Sequence, residues 1–187
     1  MRRILLLVGG LLLSCSVSAL EVAGVQLADK TQVGNASLQL NGAGIRTKFF
    51  FKIYVGALYL PQKQTSAEAI IADEHIHRMA LYMLHDLGSK KLYGAFSEAI
   101  EMNQTPAALA AMDGQMKQMK QIFDAVNEVQ PGDVITLDYT PGSGTQISVN
   151  GKSFGTIAGA EFNRALLSIW IGNNPVQDDL KKGLLGG

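Results

Sequence analysis

Arg46 is the residue whose type and setting point most directly to chemistry in this 187-residue chain. It ends a glycine-rich segment, G-A-G-I-R at 42–46, and a run of aromatic and aliphatic residues follows it. A guanidinium group is permanently charged, and its rigid fork of donors fits a carboxylate or a phenolate. This setting predicts a hydrophobic pocket with one cationic anchor, the kind of site that binds an amphiphilic acid. The alternative is an arginine that pairs with a surface carboxylate near the start of a strand.

Two tyrosines follow Arg46 in the same part of the chain. Tyr54 and Tyr59 lie in the run 47–60, whose aromatic and β-branched content predicts one long strand that stops at Pro61. Residues five apart on an unbroken strand point to opposite faces. At most one of the two is therefore expected to line the pocket with Arg46. Either could instead be a core tyrosine whose hydroxyl is satisfied locally.

Several blocks of the sequence resemble the bacterial chalcone isomerase-like family. G-x-G-x-R at 42–46 is followed by F-K-x-Y-x-x-x-L-Y-L-P at 51–61, and Y-T-P-G-S-G-T-Q-I-S-V-N-G-K occupies 139–152. The C-terminal part carries I-W-I-G at 169–172, N-P at 174–175 and L-K-K-G-L-L-G at 180–186. The blocks occur in the order typical of the family, and the resemblance covers nearly all of the chain after residue 20.

The resemblance implies roles for three of these residues. In the superfamily, the arginine that matches Arg46 holds the anionic oxygen of the flavonoid in true isomerases and the lipid carboxylate in fatty-acid-binding members. Tyr59 is similar in its spacing from Arg46 to the tyrosine of the carboxylate clamp in those fatty-acid-binding members. Tyr54 lies nearer the position where plant isomerases carry a threonine that polarises the substrate ketone.

The polar set that flavanone formation needs looks incomplete. Tyr93 resembles the tyrosine that true isomerases use to orient a water, and Ser168 lies one position from their Ser or Thr before the C-terminal motif. Ile100 stands where those enzymes carry an asparagine. Lost hydrogen bonds to the reacting oxygen remove transition-state stabilisation, so isomerase activity is not the favoured reading.

The order of predicted elements indicates an α+β domain. We expect a large antiparallel sheet with helices packed on one face, and the family resemblance implies the same fold. The predicted strands are 20–27, 37–41, 47–60, 75–84, 134–139, 145–149 and 152–157, with a polar turn at 30–35. The predicted helices are 66–72 (capped by Thr65 or Ser66), 89–102, 105–126, 161–171 and 176–185.

The N-terminus is typical of a secretory signal peptide. Two arginines precede an apolar run at 4–13, and V-S-A at 17–19 fits the small-x-small cleavage rule. We therefore expect a signal peptide at 1–19, a chalcone isomerase-like domain at 20–187 and a periplasmic location. A lipoprotein anchored through Cys15 is the alternative.

Composition narrows the function classes further. Loss of Arg2 and Arg3 from 16 basic and 16 acidic residues leaves 14 and 16, with no basic stripe, so no nucleic-acid partner is expected. Cleavage would also remove the single cysteine, and no second long apolar segment predicts a membrane span in the mature chain. His75 and His77 share a strand face but lack a third ligand by spacing, so we expect no metal. The sequence shows no phosphate loop or dinucleotide fingerprint, so we expect no other cofactor.

Three hypotheses of function follow. The first is an exported, non-catalytic binder of a small hydrophobic carboxylate or phenolate, such as a fatty acid. The second is an intramolecular lyase that closes a ring onto a chalcone-like enone. The third is an envelope structural or assembly partner without a small ligand.

Overall fold

The computed structural model describes residues 19–187, so the predicted signal peptide lies outside the described residues except for Ala19. The strands are β1 (Ala19–Val22), β2 (Val25–Ala28), β3 (Lys30–Val33), β4 (Ala36–Lys48), β5 (Phe51–Leu60), β6 (His77–Met83), β7 (Leu87–Gly88), β8 (Glu128–Val129), β9 (Val134–Thr140), β10 (Gly144–Val149) and β11 (Lys152–Ile157). The helices are α1 (Ala67–Ala72), α2 (Ser89–Glu101), α3 (Pro106–Ala111), α4 (Asp113–Val126), α5 (Ala160–Ile171) and α6 (Asp178–Leu184).

A seven-stranded antiparallel sheet organises the domain, with the strand order β11-β10-β9-β6-β5-β4-β3. One face carries the helices, and the larger core forms between the two layers. The opposite face carries a smaller core in which Leu27 of the β1–β2 hairpin packs with Leu38, Val55 and Tyr59. The predicted α+β fold, a large antiparallel sheet with helices on one face, is confirmed.

The predicted strand at 47–60 is wrong in one important respect. The chain reverses at Phe49 and Phe50, so that β4 and β5 form a long hairpin. Phe49 has a φ of 56°, a left-handed conformation that bulky residues rarely adopt. Three consecutive phenylalanines carry none of the usual turn signals, which is why the composition favoured one continuous strand.

Two other local predictions near the N-terminus are corrected. The predicted strand 20–27 is a hairpin that turns at Ala23 and Gly24, with φ values of 51° and 81°. Positive φ at both central residues is typical of tight hairpin turns, and glycine meets it at low cost. The predicted polar turn at 30–35 contains β3, which pairs with the start of β4.

The helical predictions hold with one break. Ser66 caps α1 by accepting from the backbone N–H of Ala69, as predicted. The helix predicted over 105–126 is two helices, because Met112 leaves the helical region with φ −104° and ψ 15°. Asn150 and Gly151, a common tight-turn pair, form the turn between β10 and β11, with φ values of 51° and 77°.

The glycines of the G-x-G-x-R segment are explained by helix packing. On β4, Gly42, Gly44 and Arg46 are two residues apart and share one face of the strand. A Cβ atom on Gly42 would lie 2.1 Å from the carbonyl oxygen of Gly183, and one on Gly183 would lie 2.4 Å from that of Ala43. The two glycine-rich motifs therefore let α6 lie directly on β4, next to Arg46.

Candidate ligand-binding site

A cavity of about 900 Å³ lies between the helical layer and the sheet. This volume falls within the range of roughly 300–1,000 Å³ that is usual for small-molecule sites. Its wall is predominantly apolar and comes from the sheet and from α2, α4 and α5. Representative wall residues are Leu81, Phe96, Met119, Ile122, Ile135 and Leu166.

Four charged side chains contribute to the lining of this cavity. Lys48, Lys91 and Glu98 contribute to the lining and are exposed, so they mark the mouth. Arg46 also lines the cavity but is partly buried. The cavity thus has a predominantly apolar wall that includes one partly buried cation.

Arg46 is held by neutral groups only. Its Nη1 donates to the backbone carbonyl of Thr47 over 3.1 Å and to Oε1 of Gln177 over 3.3 Å. Among residues 19–187, no carboxylate lies within ion-pair distance of its guanidinium. A partly buried guanidinium without a counter-ion favours the entry of an anion, because burial of a lone charge is costly.

Gln177 positions this end of β4, and the sequence analysis did not identify it. Its Oε1 also accepts from the backbone N–H of Thr47 over 2.8 Å, and its Nε2 donates to the carbonyl of Ile45 over 3.2 Å. Gln177 precedes α6, so packing of α6 on the β4 glycines brings its amide to Arg46. In the sequence, the only indication that the region around Gln177 matters was the family resemblance of the blocks at 169–175 and 180–186.

Tyr54 is the cross-strand partner of Arg46 and lines the same cavity. Its hydroxyl oxygen accepts a hydrogen bond of 2.9 Å from the indole N–H of Trp170. Burial raises the pKa of Tyr54 to about 12, and the opposing effects of the Trp170 hydrogen bond and the Arg46 charge are smaller. The hydroxyl therefore keeps its proton at neutral pH and can donate it to a bound acceptor.

Trp170 is a buried residue of the larger core. It also lines the cavity and fixes the oxygen of Tyr54. The Tyr54–Trp170 hydrogen bond could not be predicted from local sequence patterns, because the two residues are 116 positions apart in the chain.

Tyr59 lies away from the cavity. Its side chain is buried in the smaller core on the opposite face of the sheet. Burial and a hydrogen bond with Tyr82 raise its pKa, and Arg78 beside it is paired with Asp138 at 2.6 Å. The structure therefore brings Tyr54 to Arg46, and the Arg46–Tyr59 clamp that the resemblance implied is not formed.

Tyr93 and Ser168 are also outside the lining. The ring of Tyr93 packs against Phe96 and Phe123, with centroid distances of 6.1 and 6.0 Å. The Ser168 hydroxyl donates to the backbone carbonyl of Ala165 over 2.6 Å and accepts from Gln104. Tyr54 is thus the one hydroxyl-bearing side chain in the cavity lining formed by residues 19–187.

The histidines do not assemble a metal site in the part of the chain that the structure describes, where no group of three potential ligands was found. The two ring nitrogens of His77 instead lie 3.0 Å from the carbonyl of His75 and 3.1 Å from the amide oxygen of Asn163. His77 is a buried structural residue outside the cavity lining.

Comparison with known protein families matches residues 19–186 to the chalcone isomerase-like family, and the chain belongs to it. Among solved structures, it is similar to the crystal structure of an Arabidopsis thaliana fatty-acid binding protein. The TM-score is 0.72 at 14% identity, with 90% of this chain and 96% of that chain covered. At this identity the likeness establishes the shared fold. Comparison with curated protein sequences finds no match.

Proposed function

We propose that this protein binds a small hydrophobic anion, such as a long-chain fatty acid, without transforming it. The observation that carries the proposal is Arg46, a cation without a counter-ion among residues 19–187, in the lining of an apolar cavity of about 900 Å³. The carboxylate would accept from Arg46 and from the hydroxyl of Tyr54, and the alkyl chain would extend along the apolar wall. The fatty-acid binding protein of similar fold supports this choice of ligand class.

An intramolecular lyase is the second candidate, supported by the same pair of residues. Arg46 would steer the attacking oxyanion and Tyr54 would donate to the enone carbonyl. Both groups would serve equally well to hold a carboxylate. The test is to incubate the protein with a chalcone and follow its absorbance. A decay faster than the uncatalysed reaction would assign the protein to the intramolecular lyases.

The test uses Trp170, the single tryptophan of the chain, as an intrinsic reporter in the cavity. Palmitate and methyl palmitate are titrated against the protein, and the change in tryptophan fluorescence is followed. We expect palmitate to bind more tightly than its ester by roughly 10- to 100-fold, since a charge-assisted hydrogen bond contributes about 1.5–3 kcal/mol.

Arg46→Ala should remove this preference while the circular dichroism spectrum stays unchanged. Arg46→Lys should retain part of it, because an ammonium keeps the charge but loses the fork of donors. Lys117→Ala is the matched control, since Lys117 is an exposed cation outside the lining. Equal palmitate affinities for Arg46→Ala and the unmodified protein would refute the proposal.

We also propose that the mature protein begins at Leu20 and works in the periplasm. The support is the N-terminal sequence: two arginines, an apolar run and a small-x-small site. Cell fractionation followed by N-terminal sequencing tests the location and the cleavage point together. An acylated N-terminus at Cys15 would establish the lipoprotein alternative.

A further inference from the structure

The tip of the β4–β5 hairpin exposes three consecutive phenylalanines. Phe49, Phe50 and Phe51 are 84%, 97% and 58% exposed. Only two other large hydrophobic residues in residues 19–187 are exposed, Leu20 at 46% and Met102 at 48%. A contiguous exposed apolar cluster of this kind marks an interaction surface, whereas isolated exposed hydrophobic residues do not.

The tip also projects beyond the rest of the sheet. The ladder between β5 and β6 begins at Tyr54, paired with Met83, so residues 47–52 form ladder pairs only within their own hairpin. At the base of the tip, the Phe51 ring meets the His85 ring edge to face at 5.3 Å. The φ of 56° at Phe49 would suit glycine or asparagine better than phenylalanine. The chain thus keeps an aromatic residue at a turn position where local conformation disfavours it.

Basic residues flank the aromatic tip on both sides. Lys48 and Lys52 are exposed and immediately bracket the three phenylalanines. Lys91 of α2 is also exposed, and like Lys48 it contributes to the cavity lining. The exposed acid of that lining is Glu98. Aromatic side chains bracketed by lysines match the chemistry of a membrane surface, where rings enter the interface and ammonium groups meet anionic headgroups.

We propose that this K-F-F-F-K tip docks the protein onto an anionic lipid bilayer. The phenylalanines insert at the level of the headgroups, and Lys48 and Lys52 contact the lipid phosphates. The tip is three side chains wide, whereas a specific protein interface buries about 800 Å² on each partner. A bilayer accepts such a projection without complementary shape. No helix in the described range 19–187 is long and apolar enough to span a membrane.

Docking would place the cavity mouth at the membrane, because Lys48 and Phe49 belong to both the tip and the lining. A fatty acid could then pass between the bilayer and the cavity with little exposure to water. This consequence rests on the proposed function, but the docking itself does not.

The test is co-sedimentation of the protein with vesicles of phosphatidylcholine alone or mixed with phosphatidylglycerol. We expect binding to the anionic vesicles, weakened by high salt. The variant Phe50→Ser/Phe51→Thr should bind them at least roughly tenfold more weakly, because membrane affinity scales with inserted apolar area. Neither residue lines the cavity, so this variant should keep the palmitate affinity of the unmodified protein.

Leu20→Ser is the matched control, because it removes a 46% exposed hydrophobic residue from a different hairpin. It should sediment like the unmodified protein. Equal sedimentation of the phenylalanine variant, or no binding to any vesicle, would overturn the proposal. Self-association is the other possible outcome. It would be assigned if the unmodified protein bound no vesicles but formed a dimer in analytical ultracentrifugation, and the phenylalanine variant were monomeric. Arg46→Ala separates the two proposals, since it should lose palmitate preference and keep vesicle binding.

Discussion

Arg46 and Tyr54 are direct partners across the β4–β5 ladder, and both line the cavity. Opposite residues of an antiparallel pair place their side chains on the same face of the sheet. Arg46 and Tyr54 are eight positions apart in the sequence. They become cross-strand neighbours because the chain reverses at Phe49 and Phe50. One local structure therefore brings a permanent cation and a protonated hydroxyl to the same end of an apolar cavity.

Tyr54→Phe tests the contribution of the hydroxyl. We expect palmitate affinity to fall by roughly tenfold or more, since one hydrogen bond to an ionised carboxylate is lost. The free energy of unfolding should fall by about 1 kcal/mol, because the buried N–H of Trp170 loses its acceptor. Fluorescence titration and urea unfolding measure the two effects. Methyl palmitate, titrated in parallel, should show the smaller change; an unchanged palmitate affinity would exclude Tyr54 from the site.

Gln177→Glu tests whether Arg46 must remain without a counter-ion. The substitution retains both acceptor contacts of Oε1 but places a carboxylate about as close to Nη1 of Arg46 as the amide oxygen, which lies at 3.3 Å. We expect palmitate affinity to fall at least roughly tenfold, because the new ion pair competes with the ligand.

The uncharged Gln177→Ala variant controls for the lost positioning contacts. Its palmitate affinity should lie between those of the unmodified protein and Gln177→Glu, and methyl palmitate binding should differ little among the three. If Gln177→Glu bound palmitate normally, the guanidinium would not be the anchor.

Gly42→Ala tests the packing of α6 on β4. The added Cβ would lie 2.1 Å from the carbonyl oxygen of Gly183 and 2.8 Å from the backbone nitrogen of Gly186. Backbone atoms cannot move aside as a flexible side chain can, so we expect unfolding free energy to fall by about 3 kcal/mol. Palmitate affinity should fall too, because Gln177 immediately precedes α6 and a displaced helix would move its amide.

Gly114→Ala is the matched control, since nothing lies within 4 Å of its added Cβ in helix α4. Alanine should stabilise that helix by up to about 1 kcal/mol. Chemical denaturation compares the two variants. A Gly42→Ala protein as stable as the Gly114→Ala protein would show that the close helix contact is dispensable.

The sequence predicted the sheet more successfully than it predicted the site. Local sequence patterns of a few residues are enough to predict strands with alternating polar and apolar residues. The same is true of the helix cap at Ser66 and the turn at Asn150. The reversal at Phe49 carries no turn residue, and it decided which side chain faces Arg46. Gln177 and Trp170 reach the site through contacts over 131 and 116 residues, which depend on helix packing and leave no local pattern.

His77 gives a prediction for stability against pH. Burial lowers its pKa, an effect larger than the opposing hydrogen bonds with His75 and Asn163. The folded protein therefore favours neutral His77, while the unfolded chain takes up a proton near pH 6.5. The contribution of His77 is fully present above about pH 6.5 and is lost as the pH falls, by at most about 1.4 kcal/mol per pH unit.

Urea unfolding at about pH 7, 6 and 5 measures this dependence, in a window set by the unperturbed histidine pKa. His77→Gln removes the titrating group, so its unfolding free energy should decline less steeply over this range. Identical slopes for His77→Gln and the unmodified protein would mean that the acid sensitivity of the fold arises elsewhere and that His77 is as easily protonated in the folded protein as in the unfolded chain.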